Sequence, residues 1–119
     1  LVRDGDEHVE DQLASRPGSS YLSVVSRVEL EGGVYKDLQE APSRRRRLDQ
    51  MLGEMTVLPF GNAQADAYGV IVATCGFSRP RILDRMIAAT ALVHELVVAT
   101  CNPRDFGNIP GLQLEDWSN

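Results

Sequence analysis

The sequence predicts an α/β domain: a three-layer α/β/α sandwich with a central, mostly parallel sheet, formed by residues 1–119 as one unit. Three observations carry that expectation. Short runs rich in β-branched residues alternate with longer stretches that place apolar residues on one helical face. No hairpin turn joins one run to the next, so successive strands need crossovers, which are right-handed when the strands are parallel. The run Leu96-Val97-Val98-Ala99-Thr100 is apolar without alternation, as in a strand covered on both faces.

Each element has a local reason. Residues 1–18 read as an acidic polar helix around His8 to Ala14, closed by Arg16-Pro17-Gly18. Ser20 to Val25 alternates and is rich in strand formers, so it reads as a strand. Ser26-Arg27-Val28-Glu29 has capping-box spacing, and a helix through Leu30 and Val34 is expected from there, despite Gly32 and Gly33. Ala41-Pro42-Ser43 breaks the chain. Ser43 can cap a helix from Arg44 to about Glu54, with Leu48, Met51, Leu52 and Met55 on its apolar face.

Thr56 to Phe60 reads as a short strand with Pro59 at its end. Asn62 is placed to cap a helix over Ala63 to Thr74, with Ala67, Val70, Ile71 and Thr74 facing the core. A loop at Gly76 to Pro80 precedes a helix from Arg81 to Glu95, whose stripe is Leu83, Ile87, Ala88, Ala91 and Leu92. After the Leu96–Thr100 strand, Asn102-Pro103-Arg104-Asp105 reads as an N-cap, a proline at the first helical position and an acid at the third. Leu112 to Leu114 is a last edge strand, with Trp117 covering the sheet's end.

Composition narrows the class. A hydrophobic fraction of 43% and a charged fraction of 24% are those of an ordinary globular domain. No run is long enough to span a bilayer and no signal peptide is visible, so a cytoplasmic protein is expected. Cys75 and Cys101 fit reduced thiols better than a disulfide scaffold. The net charge of −5 argues against nucleic-acid binding by bulk charge. It leaves room for a nuclease in which a metal neutralises carboxylates while local arginines meet phosphates. Arg44 to Arg47 form one basic run; Arg79, Arg81 and Arg85 form a second, and these three are candidates for RNA or partner contact, weighed against a merely solvated helix face.

Glu29, Asp84 and Asp105 are the residues of interest. Each alone has a structural explanation: Glu29 in the capping box, Asp84 at the positive end of a helix dipole, Asp105 in a cap. Yet Glu29 and Asp105 both follow a strand's carboxyl end, and Asp84 opens a helix beside them. Parallel sheets place their chemistry along that edge. Three converging carboxylates repel, and a hard cation relieves the repulsion; oxygen-only ligands favour Mg²⁺ or Mn²⁺ over zinc. His8, His94 and Cys101 lack partners for nucleophilic chemistry, and Glu31-Gly32-Gly33 is too short for a phosphate loop.

The segments Ser23 to Gly33, Ile82 to Ala91 and Thr100 to Phe106, closed by Ile109-Pro110-Gly111-Leu112, together resemble the PIN-domain ribonuclease toxins of type II toxin–antitoxin pairs (VapC-like). The D-x-x-I-A-A-x-A block, the T-x-N-x-x-D-F block and I-P-G-L are specific as an ordered set covering nearly the whole chain. The resemblance implies a Mg²⁺- or Mn²⁺-dependent endoribonuclease that commonly cuts tRNA or rRNA, forms a homodimer and is silenced by a cognate antitoxin. By position it makes Glu29, Asp84 and Asp105 the catalytic metal-site acids, with Asn102 and Thr100 supporting them.

One departure accompanies the match. Family members begin with a central strand carrying an acid in an L-D-T-N-like motif, and Leu1-Val2-Arg3-Asp4-Gly5-Asp6 looks like the stretch just after that motif. The chain is therefore expected to lack about ten residues of strand and turn, leaving a gap in the middle of the sheet. That motivates an alternative, a non-catalytic PIN-like module acting through protein contacts. A further alternative is an RNA-maturation nuclease with the same site and no toxin role.

Overall fold

In the computed structural model, residues 1–3 and 20–118 are described; the acidic helix expected around His8 to Ala14 lies outside them. The order is β1 (Tyr21–Ser23), α1 (Val24–Tyr35), α2 (Ala41–Glu54), β2 (Thr56–Leu58), α3 (Asn62–Cys75), α4 (Ile82–His94), β3 (Val98–Thr100) and β4 (Leu114–Asp116). Single 3₁₀ turns at Arg79–Arg81 and Pro103–Phe106 precede α4 and follow β3. No helix among the described residues is long and apolar enough to cross a membrane.

All pairing is parallel. β1 pairs with β2 in the register Leu22 opposite Val57, and β3 pairs with β4 with Ala99 opposite Glu115. Val2 bridges the two pairs, parallel to Leu22 on one side and Ala99 on the other. Its amide donates to Tyr21 O at 2.8 Å, and Ala99 N donates to Leu1 O at 2.7 Å. The sheet order is thus β2-β1-Val2-β3-β4. The expected central gap is filled: Leu1 to Arg3 occupy that place, pairing with the sheet amides and carbonyls on both flanks, which demand partners.

Two boundaries differ from expectation for physical reasons. The strand expected over Ser20 to Val25 ends at Ser23, and α1 starts at Val24. Ser23 is the N-cap, its Oγ accepting from Val25 N at 3.1 Å, so Ser26 and Glu29 lie inside the helix and form no capping box. Val25 is buried in the main core, and that packing overrides the strand preference of a β-branched pair. α2 begins at Ala41 with Pro42 in its first turn, where a missing N–H is harmless, rather than at Ser43.

Smaller shifts follow the same logic. Gly61, not Asn62, precedes α3, and Gln64 Oε1 accepts from Gly61 N at 2.9 Å. Glu95 closes α4 in a left-handed conformation (φ 54°), and Leu96 N returns to Ala91 O. The helix end therefore consumes the first residues of the expected Leu96–Thr100 strand. The last strand lies at Leu114–Asp116, beyond a turn at Gly111 with φ 79°.

The main core joins α1, α3, α4, β3 and the turn after it through Val25, Ile71, Ile87, Val98, Phe106 and Ile109. α4 is its axis: Ile87 to Ala91 are all fully buried. Ala88, Ala89 and Ala91 are small enough to let neighbouring elements approach from several sides. Each fully buried large apolar side chain, such as Ile87 or Phe106, contributes roughly 1.5–3 kcal/mol. Val70 and Leu83 depart from the expected core faces: they are 66% and 45% exposed. Thr74 is exposed too, its hydroxyl donating to Val70 O. Trp117 covers Val2 and Ala99 from the sheet's end, as expected.

Candidate active site

Glu29 projects from α1 nearly two turns after the Ser23 cap, and Asp84 from the first turn of α4. Both reach Arg3, at the end of the central segment of the sheet. Arg3 Nε donates to Asp84 Oδ1 at 2.9 Å, and its Nη2 donates to Glu29 Oε2 at 3.2 Å. Arg3 Nη1 lies 2.9 Å from Glu29 Oε1. One planar guanidinium therefore spans two carboxylates that sequence places 55 residues apart. The Asp84 side chain is the most enclosed of the three, at 13% exposed, so its bond to Arg3 is the better shielded of the two, whereas Glu29 reaches toward solvent.

Asp105 stands apart. Its Oδ1 accepts from Arg81 Nη1 at 3.0 Å and its Oδ2 from Asn102 Nδ2 at 3.0 Å. The turn that holds it is built from β3 outward. Thr100 Oγ1 accepts from Asn102 N at 3.0 Å, and Asp105 N donates to Asn102 O at 3.1 Å. Phe106, 1% exposed, pins the turn into the core. Asn102 thus orients Asp105 through its side chain; it stands at the expected N-cap position, with Pro103 opening the 3₁₀ turn, but its side chain makes no capping bond. Among the described residues no group of three or more acids, histidines or cysteines is close enough to share one metal ion.

The second basic run divides. Arg81 pairs with Asp105, Arg85 Nη1 donates to Gly76 O at 2.6 Å, and Arg79 is exposed. Two residues carry no signal in the sequence. Arg3 follows a strand position with nothing to mark its side chain, and Arg104 has the pattern of an ordinary turn residue. Ser26 is legible only as a cap. It is fully buried on α1, one turn before Glu29, and its Oγ has no hydrogen-bond partner among the described residues.

The donor set suits a hard divalent cation in part. Glu29 and Asp84 supply oxygens already arranged around a positive charge. Glu29 Oε1, although close to Arg3, has no donor aligned on it, and Ser26 Oγ is unsatisfied nearby in sequence. A buried carboxylate oxygen without an aligned donor is under-coordinated, and an oxygen-seeking ion meets that need.

Both the sequence and the fold have counterparts among known proteins. The PIN domain family matches residues 1–112. The chain belongs to the PIN-domain family. Among curated relatives, this PIN domain is 29% identical over 119 residues to the tRNA(fMet)-specific endonuclease VapC of Salmonella typhimurium, covering 98% of this chain and 89% of that protein. It is 31% identical over 106 residues to ribonuclease VapC1 of Rickettsia felis, covering 84% of this chain and 78% of the relative. Among solved structures, the crystal structure of DNA-bound VapBC from Salmonella typhimurium superposes with a TM-score of 0.78 at 28% identity, covering 94% of this chain and 86% of that one. The α/β class and parallel pairing of this PIN domain are those the sequence predicts.

Proposed function

We propose that this PIN domain is an endoribonuclease dependent on Mg²⁺ or Mn²⁺, the toxin of a toxin–antitoxin pair. The observation that carries the reading is the convergence of Glu29 and Asp84, from separate helices, on a single positive charge. Glu29 and Asp84 would hold the ion, and Asp105 would join them once Arg81 releases it. A divalent ion so held would activate water and stabilise charge at phosphorus during in-line displacement. The residues of the chain do the rest. α1 and α4 fix the separation of Glu29 and Asp84, the Thr100–Asn102 turn aims Asp105, and the enclosure of Asp84 strengthens the charge interactions at that carboxylate. The VapC relatives named as a tRNA(fMet)-specific endonuclease and a ribonuclease support RNA as substrate, tRNA or rRNA included, and the VapBC complexes support a cognate antitoxin. A cytoplasmic homodimer belongs to the same reading.

Incubation of the protein with RNA and Mg²⁺ or Mn²⁺ should give discrete cuts that EDTA and Asp84→Asn both abolish. Cleavage surviving both treatments rejects the site. A second reading, a module acting only through protein contacts, is favoured by one observation: Asp105 is held by Arg81 and Asn102, apart from the Glu29–Arg3–Asp84 group. Intact RNA under every metal condition, together with retained antitoxin binding, would select it. An RNA-maturation nuclease without a toxin role differs in having no antitoxin gene beside its own.

A further inference from the structure

A groove of about 350 Å³ opens where the carboxyl end of α3 meets the start of α4 and the turn after β3. Thr74, Ser78, Arg81, Arg85, Arg104 and Asp105 are among its walls. Three guanidiniums face one carboxylate there, a local excess of two positive charges on a chain whose net charge is −5. Arg81 is shared with Asp105 and Arg85 is tethered to Gly76 O, which holds both near the groove. The Arg104 side chain has no hydrogen-bond or ion-pair partner among the described residues. Such a concentration of like charge is unfavourable by itself and becomes favourable when an anion enters, most of all with planar forks that match phosphate oxygens.

Its place relative to the acids gives it a purpose. Asp84 and Arg85 are neighbours on the first turn of α4, so one helix start presents Asp84 to Arg3 and Glu29 and presents Arg85 to the groove. Asp105 is itself a wall. We propose that this groove seats a backbone phosphate of the RNA beside the scissile one, with Arg85 and Arg104 as its principal contacts and Arg81 dividing its bonds between Asp105 and that phosphate. The inference rests on the ribonuclease reading and adds the path of the bound strand: it runs from the acid pair over Asp105 into the groove. Contacts of this kind fix register without reading sequence.

The test is the salt dependence of binding by the full chain in EDTA, where cleavage is stopped. The probe is a short fluorescein-labelled single-stranded RNA of mixed sequence, read by anisotropy. For single strands each lost phosphate contact lowers the slope of log K against log salt by about 0.7. Arg104→Gln should show that decrement, and Arg85→Gln with Arg104→Gln about twice it, whereas the remote, exposed Lys36→Gln should leave the slope unchanged. An unchanged slope in the double variant, or no binding by the parent chain, overturns the groove. Cleavage with Mg²⁺, followed separately, distinguishes the two claims. Cutting with an unaltered slope sinks only the groove, and a reduced slope without cutting sinks only the nuclease. Loss of antitoxin co-elution with the RNA slope intact reassigns the groove to a protein partner and rejects the proposal.

Discussion

Arg81 Nη1 donates to Asp105 Oδ1 at 3.0 Å, so the last of the three sequence-predicted acids is held by a cation of its own chain. Both side chains are more than a third exposed, and a pair of that kind contributes at most about 1 kcal/mol. Asp105→Asn is therefore expected to abolish RNA cleavage while leaving the urea midpoint nearly unchanged. Unfolding that accompanies the loss of cutting would make Asp105 a structural residue.

Arg3 neutralises Glu29 and Asp84 together. In EDTA, Arg3→Gln should destabilise the fold by about 1–3 kcal/mol, because two enclosed carboxylates are left facing one another. Added Mg²⁺ should then raise the melting temperature of the variant more than that of the parent chain. Equal responses to Mg²⁺ in the two proteins would mean that the acid pair does not take the ion.

Among the described residues Phe106 is the largest fully buried side chain, and it adjoins Asp105 in sequence. Phe106→Ala should cost about 3–5 kcal/mol through the cavity it leaves. It should also lower cleavage at temperatures where the variant remains folded, since the turn loses its anchor. Denaturant unfolding and RNA cleavage measured on one preparation separate the two effects.

The Arg45 guanidinium, hydrogen-bonded to Glu31 at 2.5 Å, holds that carboxyl below its ordinary value near 4.5. A depressed carboxylate stabilises the fold above its ordinary value, and that contribution is lost as pH falls through the lower, folded-state value. Arg45→Gln should move the NMR titration of Glu31 upward, toward 4.5, and flatten the acid limb of the stability curve. The effect should be small because the pair faces solvent. A Glu31 titration that stays in place would assign the depression to another neighbour.

The parts of this protein legible in the sequence are those set by local pattern. The α3 and α4 stripes place Ile71, Ile87, Ala88 and Ala91 in the core, and the unbroken run before Thr100 marks a buried strand. Elements whose ends are decided by tertiary packing differ from expectation at their edges. Val24 and Val25 look like strand residues and become helical because Val25 fills space in the core, which shifts the cap from Ser26 to Ser23. Glu95 ends α4 without the glycine that usually signals such a turn. The approach of Asp84 to Glu29 can be anticipated from a helix start that packs beside the sheet's carboxyl edge. The separate holding of Asp105 by Arg81 cannot, since nothing local distinguishes that arginine from Arg79.

Glu29 and Asp84 ride on helices with α2, β2 and α3 threaded between them, and β3 and its turn come later still. A nascent chain leaving the ribosome displays Glu29 long before its companion has been synthesised. The acid pair is complete only once α4 has emerged and packed. A partly translated copy therefore lacks the acid pair on which the proposed activity depends.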